Sequence, residues 1–434
     1  MSACQELSYA EFGKRLTRAG GPSRVPLSGS IEITFKCNLR CVHCYIPDYS
    51  GRNEMSTAEI TRILDEIAEE GCLWLLLTGG EVMCRQDFAE IYRHAKSRGF
   101  LVTIFSNGTL LDERIADLLA DQPPFGIEFT LYGLSDETYL KTTGFPGRFT
   151  QVRRAIDLLM ARSLPLSLKA VAIEPLSGEI DAMRAFCDSL GLRFRFDAMV
   201  HARLDGSMAP VATRSTPERA VAYDADDPPR LAEWLKFYKQ YVRSTAPSPF
   251  LMSCGAGVNS FHIDPKGTLL SCEALPLNGY DLRRGSFREG WYGIVGDIRR
   301  RLASEANVCA RCELRPMCDR CPATATLETG SPDGWIPYYC ETTHRRAALL
   351  EEANGQPDNA LRYREHADRV AAGWTPPGAI LPRASALAGA PVACATTGCS
   401  AGGCAVSASA SRAPQPIGIE RPGLTPGQSQ GDRP

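Results

Sequence analysis

The sequence predicts an α/β fold in which helices cover a parallel β-sheet. Two observations support this prediction. Between about residues 30 and 200, short apolar runs alternate with amphipathic stretches, which gives six strand–helix units. The apolar runs are continuous, which is typical of strands buried on both faces. A doubly wound sheet and a partial barrel both fit this pattern, and both folds bind ligands at the carboxyl ends of their strands.

The individual elements follow from these runs and from the residues that flank them. The predicted strands occupy residues 30–35, 73–80, 101–108, 126–133, 165–173 and 193–199. The predicted helices between them occupy residues 56–71, 86–99, 111–121, 148–163 and 178–191. In the first helix, Ser56 or Thr57 can cap the N-terminus and Gly71 can end the helix.

The second half of the chain has a different character. A polar connector at 201–230 leads to a predicted helix at 229–244, and residues 250–345 are cysteine-rich with little helical signal. Residues 341–371 are predicted to be helical, and the Ala-, Gly-, Pro- and Ser-rich chain beyond about residue 373 is expected to be disordered. The resulting divisions are 1–29, 30–200, 201–249, 250–345, 346–372 and 373–434.

Composition excludes several classes of partner and predicts metal chemistry. The 434 residues carry a net charge of −2, which gives no electrostatic reason to expect nucleic acid or an anionic membrane. No apolar run is long enough to span a bilayer, and the first residues lack a secretion signal, so the protein is expected in the cytoplasm. In that reducing compartment, 17 cysteines indicate metal binding or catalysis rather than disulfides.

Three of these cysteines lie together after the first strand, in ITFKCNLRCVHCYIP at residues 33–47. Cys37, Cys41 and Cys44 therefore lie at the carboxyl edge of the sheet. Thiolates suit iron–sulfur clusters or zinc, and three thiolates on a 4Fe–4S cluster leave one iron open to another ligand. The alternative is a zinc knuckle that adds His43. Two adjacent side chains rarely bind one tetrahedral ion, which disfavours that alternative.

The spacing of this triad resembles that of the radical S-adenosylmethionine (SAM) superfamily. The resemblance implies a partial (βα)6 TIM-type barrel and a 4Fe–4S cluster whose open iron binds SAM. It also implies reductive cleavage of SAM to a 5′-deoxyadenosyl radical, with Cys37, Cys41 and Cys44 as the catalytic cluster ligands. Other positions that match the family as SAM-binding residues are His43, Gly79, Gly80 and Glu81 of TGGE, Asn107, Thr130 and Lys169.

The cysteine-rich segment resembles the SPASM extension of radical SAM enzymes that modify peptides. The resemblance implies two auxiliary 4Fe–4S clusters, one on Cys254, Cys272 and Cys321 and the other on Cys309, Cys312, Cys318 and Cys340. The chain departs from the family pattern because Cys318 and Cys321 are separated by two residues instead of three. With three ligands, the first auxiliary cluster is expected to have an open iron that could bind a peptide thiolate. Two structural zinc ribbons are the alternative.

The two resemblances together imply a maturase that acts on a ribosomally made precursor peptide. The expected product carries a thioether or carbon–carbon crosslink, and the expected electron donor is a flavodoxin or ferredoxin. One alternative is the oxidation of a sulfatase residue to formylglycine, and another is a non-catalytic iron–sulfur electron carrier. The tail cysteines Cys394, Cys399 and Cys404 belong either to a flexible tail or to a fused substrate.

Overall fold

A nine-stranded sheet forms the centre of the structure, a computed structural model that describes residues 8–20, 23–242, 248–277 and 279–382. The first six strands are β1 (Ser28–Thr34), β2 (Trp74–Gly79), β3 (Leu101–Ser106), β4 (Gly126–Thr130), β5 (Leu166–Val171) and β6 (Arg193–Asp197). They lie side by side in chain order, and each pairs with the next in parallel. A doubly wound sheet would reverse this order at a switch point. The sheet is therefore a partial barrel, which confirms the predicted fold class.

Helices cover the outer face of this sheet in the first half of the chain. They are α1 (Tyr9–Gly20), α2 (Thr57–Glu69), α3 (Phe88–Ser97), α4 (Glu113–Asp121), α5 (Asp136–Thr143), α6 (Arg148–Ala161) and α7 (Ile180–Ser189). In α2, Ser56 is the N-cap residue and forms a reciprocal capping box with Glu59, as the sequence suggested. Helices α1 and α5 were not predicted.

Two further helices, α8 (Pro217–Ala225) and α9 (Pro228–Phe237), follow the barrel. Helix α8 lies within the stretch predicted to be a polar connector. A proline stands near the start of each helix, where its missing N–H leaves no helical hydrogen bond unmade.

The cysteine-rich segment continues the barrel sheet. Strand β7 (Ser260–Ile263) pairs in parallel with β1, and β8 (Thr268–Leu270) and β9 (Tyr280–Asp281) extend it antiparallel. The predicted hairpin turn is present, because Gly267 N–H donates to the Asp264 carbonyl at 3.0 Å with Gly267 at φ +85°. The proposed division at residue 249 therefore does not interrupt the sheet.

Short helices fill the rest of this segment, which corrects the expectation of little helix there. They are α10 (Phe287–Tyr292), α11 (Ile294–Arg300) and α12 (Pro322–Thr329). The single predicted helix at 341–371 is two helices, α13 (Pro337–Ala353) and α14 (Pro357–Ala371), separated by Asn354, Gly355 and Gln356.

The chain beyond α14 is described as far as residue 382. Trp335 N–H donates to the Ile380 carbonyl at 2.8 Å, so residues 373–382 are ordered against the fold, contrary to the predicted start of disorder at 373. The cysteines of the tail lie outside the described residues. None of the helices in the described part of the chain has the length and apolar character needed to cross a membrane.

Candidate active site

A cavity of about 310 Å³ opens at the carboxyl ends of the barrel strands. Its lining includes the three cysteines of the triad, Gly79 and Gly80 after β2, Asn107 after β3, Thr130 on β4 and Lys169 on β5. Parallel strands deliver their C-terminal residues to one edge of the sheet, so residues far apart in the chain meet there. The structure thus brings most of the predicted site residues to one place.

Each thiol of the triad faces a hydrogen-bond donor. Asn107 Nδ2 lies 3.8 Å from Cys37 Sγ, and the backbone N–H of Leu39 lies 3.4 Å from the same sulfur. The hydroxyls of Tyr132 and Tyr49 donate to Cys41 and Cys44 respectively. N–H and O–H donors at ligand sulfurs stabilise negative charge on a metal–thiolate site.

The donor set fits a multi-iron cluster better than a single zinc ion. Within the described residues, three ligand atoms of metal-binding type all lie within 4.8 Å of one another only at Cys340, His344 and His366, not at the triad. Zinc–sulfur bonds of about 2.3 Å would place sulfurs closer together than about 4 Å. Burial raises the pKa of Cys37 to about 12 and also raises the pKa of Cys41 and Cys44, so metal binding must displace their protons.

Gly79 and Gly80 allow β2 to end directly against the segment 35–47, which carries the triad and is called the cluster loop below. A Cβ on Gly79 would lie 2.2 Å from the Thr34 carbonyl oxygen, and one on Gly80 would lie 2.5 Å from that of Phe35. Gly79 also has φ +137°, which side chains rarely adopt. These contacts are with the protein's own backbone, so the glycines are required by the fold as well as lining the cavity.

Glu81 lies behind the cavity rather than in its lining. Its carboxylate is 1% exposed and accepts hydrogen bonds from Asn107 N at 2.7 Å and Ser106 Oγ at 2.9 Å. Burial raises its pKa, while the bonds from Asn107, Met83 and Ser106 oppose that shift. Glu81 thereby joins the ends of β2 and β3 and holds the loop that presents Asn107.

His43 presents an unsatisfied polar atom at the cavity. Its Nδ1 is buried and has no hydrogen-bond partner within the described part of the chain. Burial lowers the pKa of His43 to about 4, so the imidazole is neutral. A flat, uncharged ring with a free nitrogen fits the role of an adenine contact that the resemblance implied.

Lys169 is held in the cavity wall by neighbouring side chains. Its Nζ lies 3.0 Å from Glu128 Oε1 and 3.1 Å from the centroid of the Phe105 ring. Burial lowers the pKa of Lys169 to about 8, against the opposing effect of Glu128. The side chain is 18% exposed and its ammonium can meet an anionic ligand group. Thr130, on the neighbouring strand, also lines the cavity.

The sequence interpretation missed a buried polar group beneath the cavity. Tyr45 donates to Glu32 Oε1 at 2.5 Å, and His262 Nε2 lies 3.3 Å from Glu32 Oε2. Ser30 Oγ lies 2.8 Å from the other imidazole nitrogen of His262. Burial raises the pKa of Glu32, against the effect of its hydrogen bond with His262. This group links the cluster loop to β7. In the sequence, the group could have been suspected only from the polar residues Glu32 and His262 among the apolar residues of their strands.

The cysteine-rich segment also contributes to the cavity. Glu273, which directly follows Cys272, lines the cavity together with Tyr45 and with Met199 and His201 from the connector. Glu273 was not predicted as a site residue, although it directly follows a candidate metal ligand in the sequence. The triad cysteines therefore line one part of the cavity, and Glu273, which is adjacent to Cys272, lines another.

The cysteines of the second half of the chain lie near one another in the structure. Cys254 and Cys321 lie close enough to Cys272 for their charges to raise its pKa, in addition to burial. Cys309, Cys312 and Cys318 act on Cys340 in the same way. No disulfide bond joins the described cysteines. Cys254, Cys312, Cys318 and Cys321 border a second cavity of about 470 Å³.

Comparison with known proteins agrees with this geometry. Residues 31–182 match the radical SAM superfamily. The AdoMet-dependent heme synthase of Methanosarcina barkeri is 25% identical over 71% of this chain and 94% of its own length. The PqqA peptide cyclase of Ruegeria pomeroyi is 27% identical over 77% of this chain and 93% of its own length.

The fold also matches that of a solved structure. Streptococcus suis SuiB bound to precursor peptide SuiA superposes with a TM-score of 0.59 at 18% identity, covering 77% of this chain and 82% of SuiB. The domain match, the relatives and the barrel agree with the triad and its cavity, and the chain contains a radical SAM domain at residues 31–182.

Proposed function

We propose that the chain is a radical SAM/SPASM maturase that crosslinks a ribosomally made peptide. The observation that carries the proposal is the shared cavity, which the triad cysteines and Glu273 line together. Relatives named PqqA peptide cyclase and mycofactocin maturase, and the SuiB structure with its precursor peptide, support a peptide as the substrate class.

Different residues of the cavity would bind the cluster and SAM. When bound, the 4Fe–4S cluster and SAM supply a 5′-deoxyadenosyl radical that removes a hydrogen atom from the substrate. Cys37, Cys41 and Cys44 would hold the cluster, and His43 would contact the adenine. Lys169 would pair with the SAM carboxylate, while Gly79, Gly80 and Thr130 would line the SAM pocket.

Glu273 is suited to receive the proton that crosslinking releases. Joining a peptide thiol to a carbon removes two hydrogens, one taken by the 5′-deoxyadenosyl radical. The second leaves as one electron and one proton. Cys254, Cys272 and Cys321 would hold an auxiliary cluster that supplies an acceptor for the electron, and the Glu273 carboxylate would accept the proton. The peptide bond between Cys272 and Glu273 keeps the two acceptors together.

The central test is anaerobic turnover of the reconstituted protein with SAM, dithionite and the small peptide encoded beside its gene. We expect 5′-deoxyadenosine and a peptide product that is lighter by two hydrogens, read by mass spectrometry. Glu273→Gln should still make 5′-deoxyadenosine but lose crosslinked product by about tenfold or more. Glu305→Gln, at an exposed position, is the matched control and should retain both products.

Other outcomes would favour the alternatives. Formylglycine in a sulfatase peptide would indicate sulfatase maturation. Turnover of an iron porphyrin but not of the peptide would indicate a reaction like that of the heme synthase relatives. Failure of the reconstituted protein to form 5′-deoxyadenosine would indicate a non-catalytic iron–sulfur carrier and contradict the proposal.

The auxiliary clusters have their own test. We expect about twelve iron atoms per chain after reconstitution, four for each of three clusters, with a flavodoxin or ferredoxin as the physiological donor. Zinc at either auxiliary set would contradict this expectation. If the first auxiliary cluster has an open iron, its Mössbauer spectrum should change when a cysteine-bearing peptide is added. A spectrum that does not change would contradict binding of the peptide thiolate there.

A further inference from the structure

Two histidines converge on one of the auxiliary cysteines. Cys340 lies near the start of α13, His344 lies one turn later, and His366 projects from α14. His366 Nε2 is 3.6 Å and His344 Nδ1 is 3.7 Å from Cys340 Sγ. Their three ligand-type atoms all lie within 4.8 Å of one another. The group is therefore either a metal site or a set of hydrogen bonds to the sulfur.

The protonation of His344 follows from its closest contact. His344 Nδ1 lies 2.7 Å from the Cys340 carbonyl oxygen, which can only accept a hydrogen bond. Nδ1 must therefore carry the hydrogen, and this same atom faces Cys340 Sγ. A protonated nitrogen has no lone pair to offer a metal ion.

The protonation of His366 follows from Arg369. An arginine guanidinium only donates, and Arg369 Nη2 lies 3.2 Å from His366 Nδ1, which must accept. An imidazole ring carries at least one N–H, so with Nδ1 accepting, a hydrogen of His366 lies on Nε2. That N–H is directed at Cys340 Sγ. The Trp374 ring lies against His366 with centroids 5.2 Å apart.

The two imidazole rings are also arranged unsuitably for a shared ion. They stack with centroids 3.9 Å apart and an angle of 21° between their planes. An imidazole lone pair lies in its ring plane, so stacked rings cannot both direct one to an ion about 2.0 Å from each nitrogen. Protonation and stacking together favour hydrogen bonds.

We propose that His366 and His344 are positioning residues that donate N–H hydrogen bonds to the Cys340 thiolate and raise the reduction potential of the second auxiliary cluster. Such bonds withdraw electron density from a ligand sulfur and stabilise the reduced cluster. Helix α14 would thus serve as a support for that cluster. This inference rests on the auxiliary cluster of the proposed function.

The test is a redox titration followed by EPR in the full-length protein with Cys37, Cys41 and Cys44 changed to alanine. Only the auxiliary clusters then contribute, and the cluster at Cys254, Cys272 and Cys321 is an internal reference. We expect His366→Ala to lower the potential of the second cluster and leave the reference unchanged. His366→Gln keeps an N–H donor at a similar distance from the backbone. Its second cluster should therefore have a potential close to that of the unsubstituted protein.

Two arginine variants of α14 extend the test. Arg369→Ala removes the group that fixes the imidazole hydrogen and should lower the potential by a smaller shift. Arg364→Ala, on the same helix as Arg369, is the matched control; Arg364 pairs with Glu352 of α13, and the variant should leave the potential unchanged. If the His366→Ala protein does not assemble the second auxiliary cluster, the potentials of the His366→Gln and Arg369→Ala proteins test the inference instead.

Several results would overturn the inference. An unchanged potential in His366→Ala with a fully assembled cluster would show that the histidine does not act on the sulfur. About one zinc per chain, lost in His366→Ala, would show a mononuclear site instead. If the unsubstituted protein assembles no second auxiliary cluster, both the inference and that part of the proposed function are wrong. An assembled cluster with an unchanged potential overturns the inference alone.

Discussion

Lys169 carries an ammonium group whose charge changes near neutral pH. Because burial lowers its pKa to about 8, Lys169 is charged below that pH and becomes neutral as the pH rises through it. We expect the Kd for SAM to rise as the pH is taken from about 7 to about 9.5, by up to about tenfold per pH unit once the pKa is passed.

Equilibrium dialysis under anaerobic conditions measures this dependence. Lys169→Arg keeps its charge throughout the range and should bind SAM with much less change across it. Lys169→Met should bind SAM weakly at every pH. A dependence that is the same in the lysine and arginine proteins would exclude Lys169 as its source.

Gly79 is constrained by both its backbone angle and its neighbour. Gly79→Ala would place a methyl 2.2 Å from the Thr34 oxygen at φ +137°, so the strand end must shift. We expect a loss of about 2–4 kcal/mol of unfolding free energy and loss of SAM cleavage. Urea denaturation checks the first effect and 5′-deoxyadenosine formation the second.

Gly99→Ala separates the effect of a positive φ from the effect of the contact with the Thr34 oxygen. Gly99 has φ +87° but nothing within 4 Å of its added Cβ, so this variant should lose only about 1 kcal/mol and keep activity. Equal losses in the two variants would show that the contact with Thr34 contributes nothing.

At the scale of elements, one buried ion pair joins the connector to the C-terminal helices. Arg214 pairs with Glu328 of α12, and the two side chains are 7% and 1% exposed. Arg214 also donates to the Tyr339 hydroxyl of α13 at 2.9 Å. We expect Arg214→Met to cost about 3–5 kcal/mol, because it leaves the Glu328 carboxylate buried without its partner.

Chemical denaturation compares this variant with an exposed pair. Arg284 is 87% exposed and pairs with Asp281, so Arg284→Met should leave the unfolding midpoint unchanged. A similar midpoint for the two variants would mean that the buried pair does not hold these elements together.

Elements with strong apolar patterns could be predicted from the sequence, and those with polar interiors could not. The six barrel strands were found within a few residues because segments rich in apolar residues, such as LWLLL at 73–77, recur between amphipathic stretches. Helix α5 was missed because its buried face includes Thr138, Thr142 and Thr143, which give no apolar periodicity. Asn354, Gly355 and Gln356, which follow α13, were predicted to be helical, although Gly355 adopts φ +71° there.

At the scale of the whole molecule, the barrel and the cysteine-rich segment share one sheet. Phe261 of β7 packs on Phe287 and Trp291, and its ring fills the space beside Gly29 of β1. A chain that ends at residue 249 would lack β7 and these aromatic contacts. Strand β1 would then be an unpaired edge of the sheet. We therefore expect this chain to aggregate, whereas a chain ended at residue 382 should remain soluble.

Soluble yield and thermal unfolding of the two truncated chains check this expectation. A soluble and cooperatively melting 1–249 chain would show that the barrel folds without β7. The retained 1–382 chain also tests the tail hypothesis: if it crosslinks a separate peptide as well as the full chain does, the tail is not the required substrate.

The sequence could group the cysteines, but it could not place their neighbours. The division into two auxiliary sets came from the family resemblance, because Cys254, Cys272 and Cys321 are far apart in the chain. The presence of Glu273 in the cavity depends on β7 pairing with β1, a contact between residues more than two hundred positions apart. Likewise, the role of Glu81 as a tie between strands depends on hydrogen bonds that its motif does not reveal.

The direct bond between Cys272 and Glu273 ties the cavity wall to the proposed auxiliary centre. If that centre were lost, the segment that carries Glu273 would lose its anchor, while Cys37, Cys41 and Cys44 would keep theirs. A protein in that state should therefore consume SAM without releasing a modified peptide.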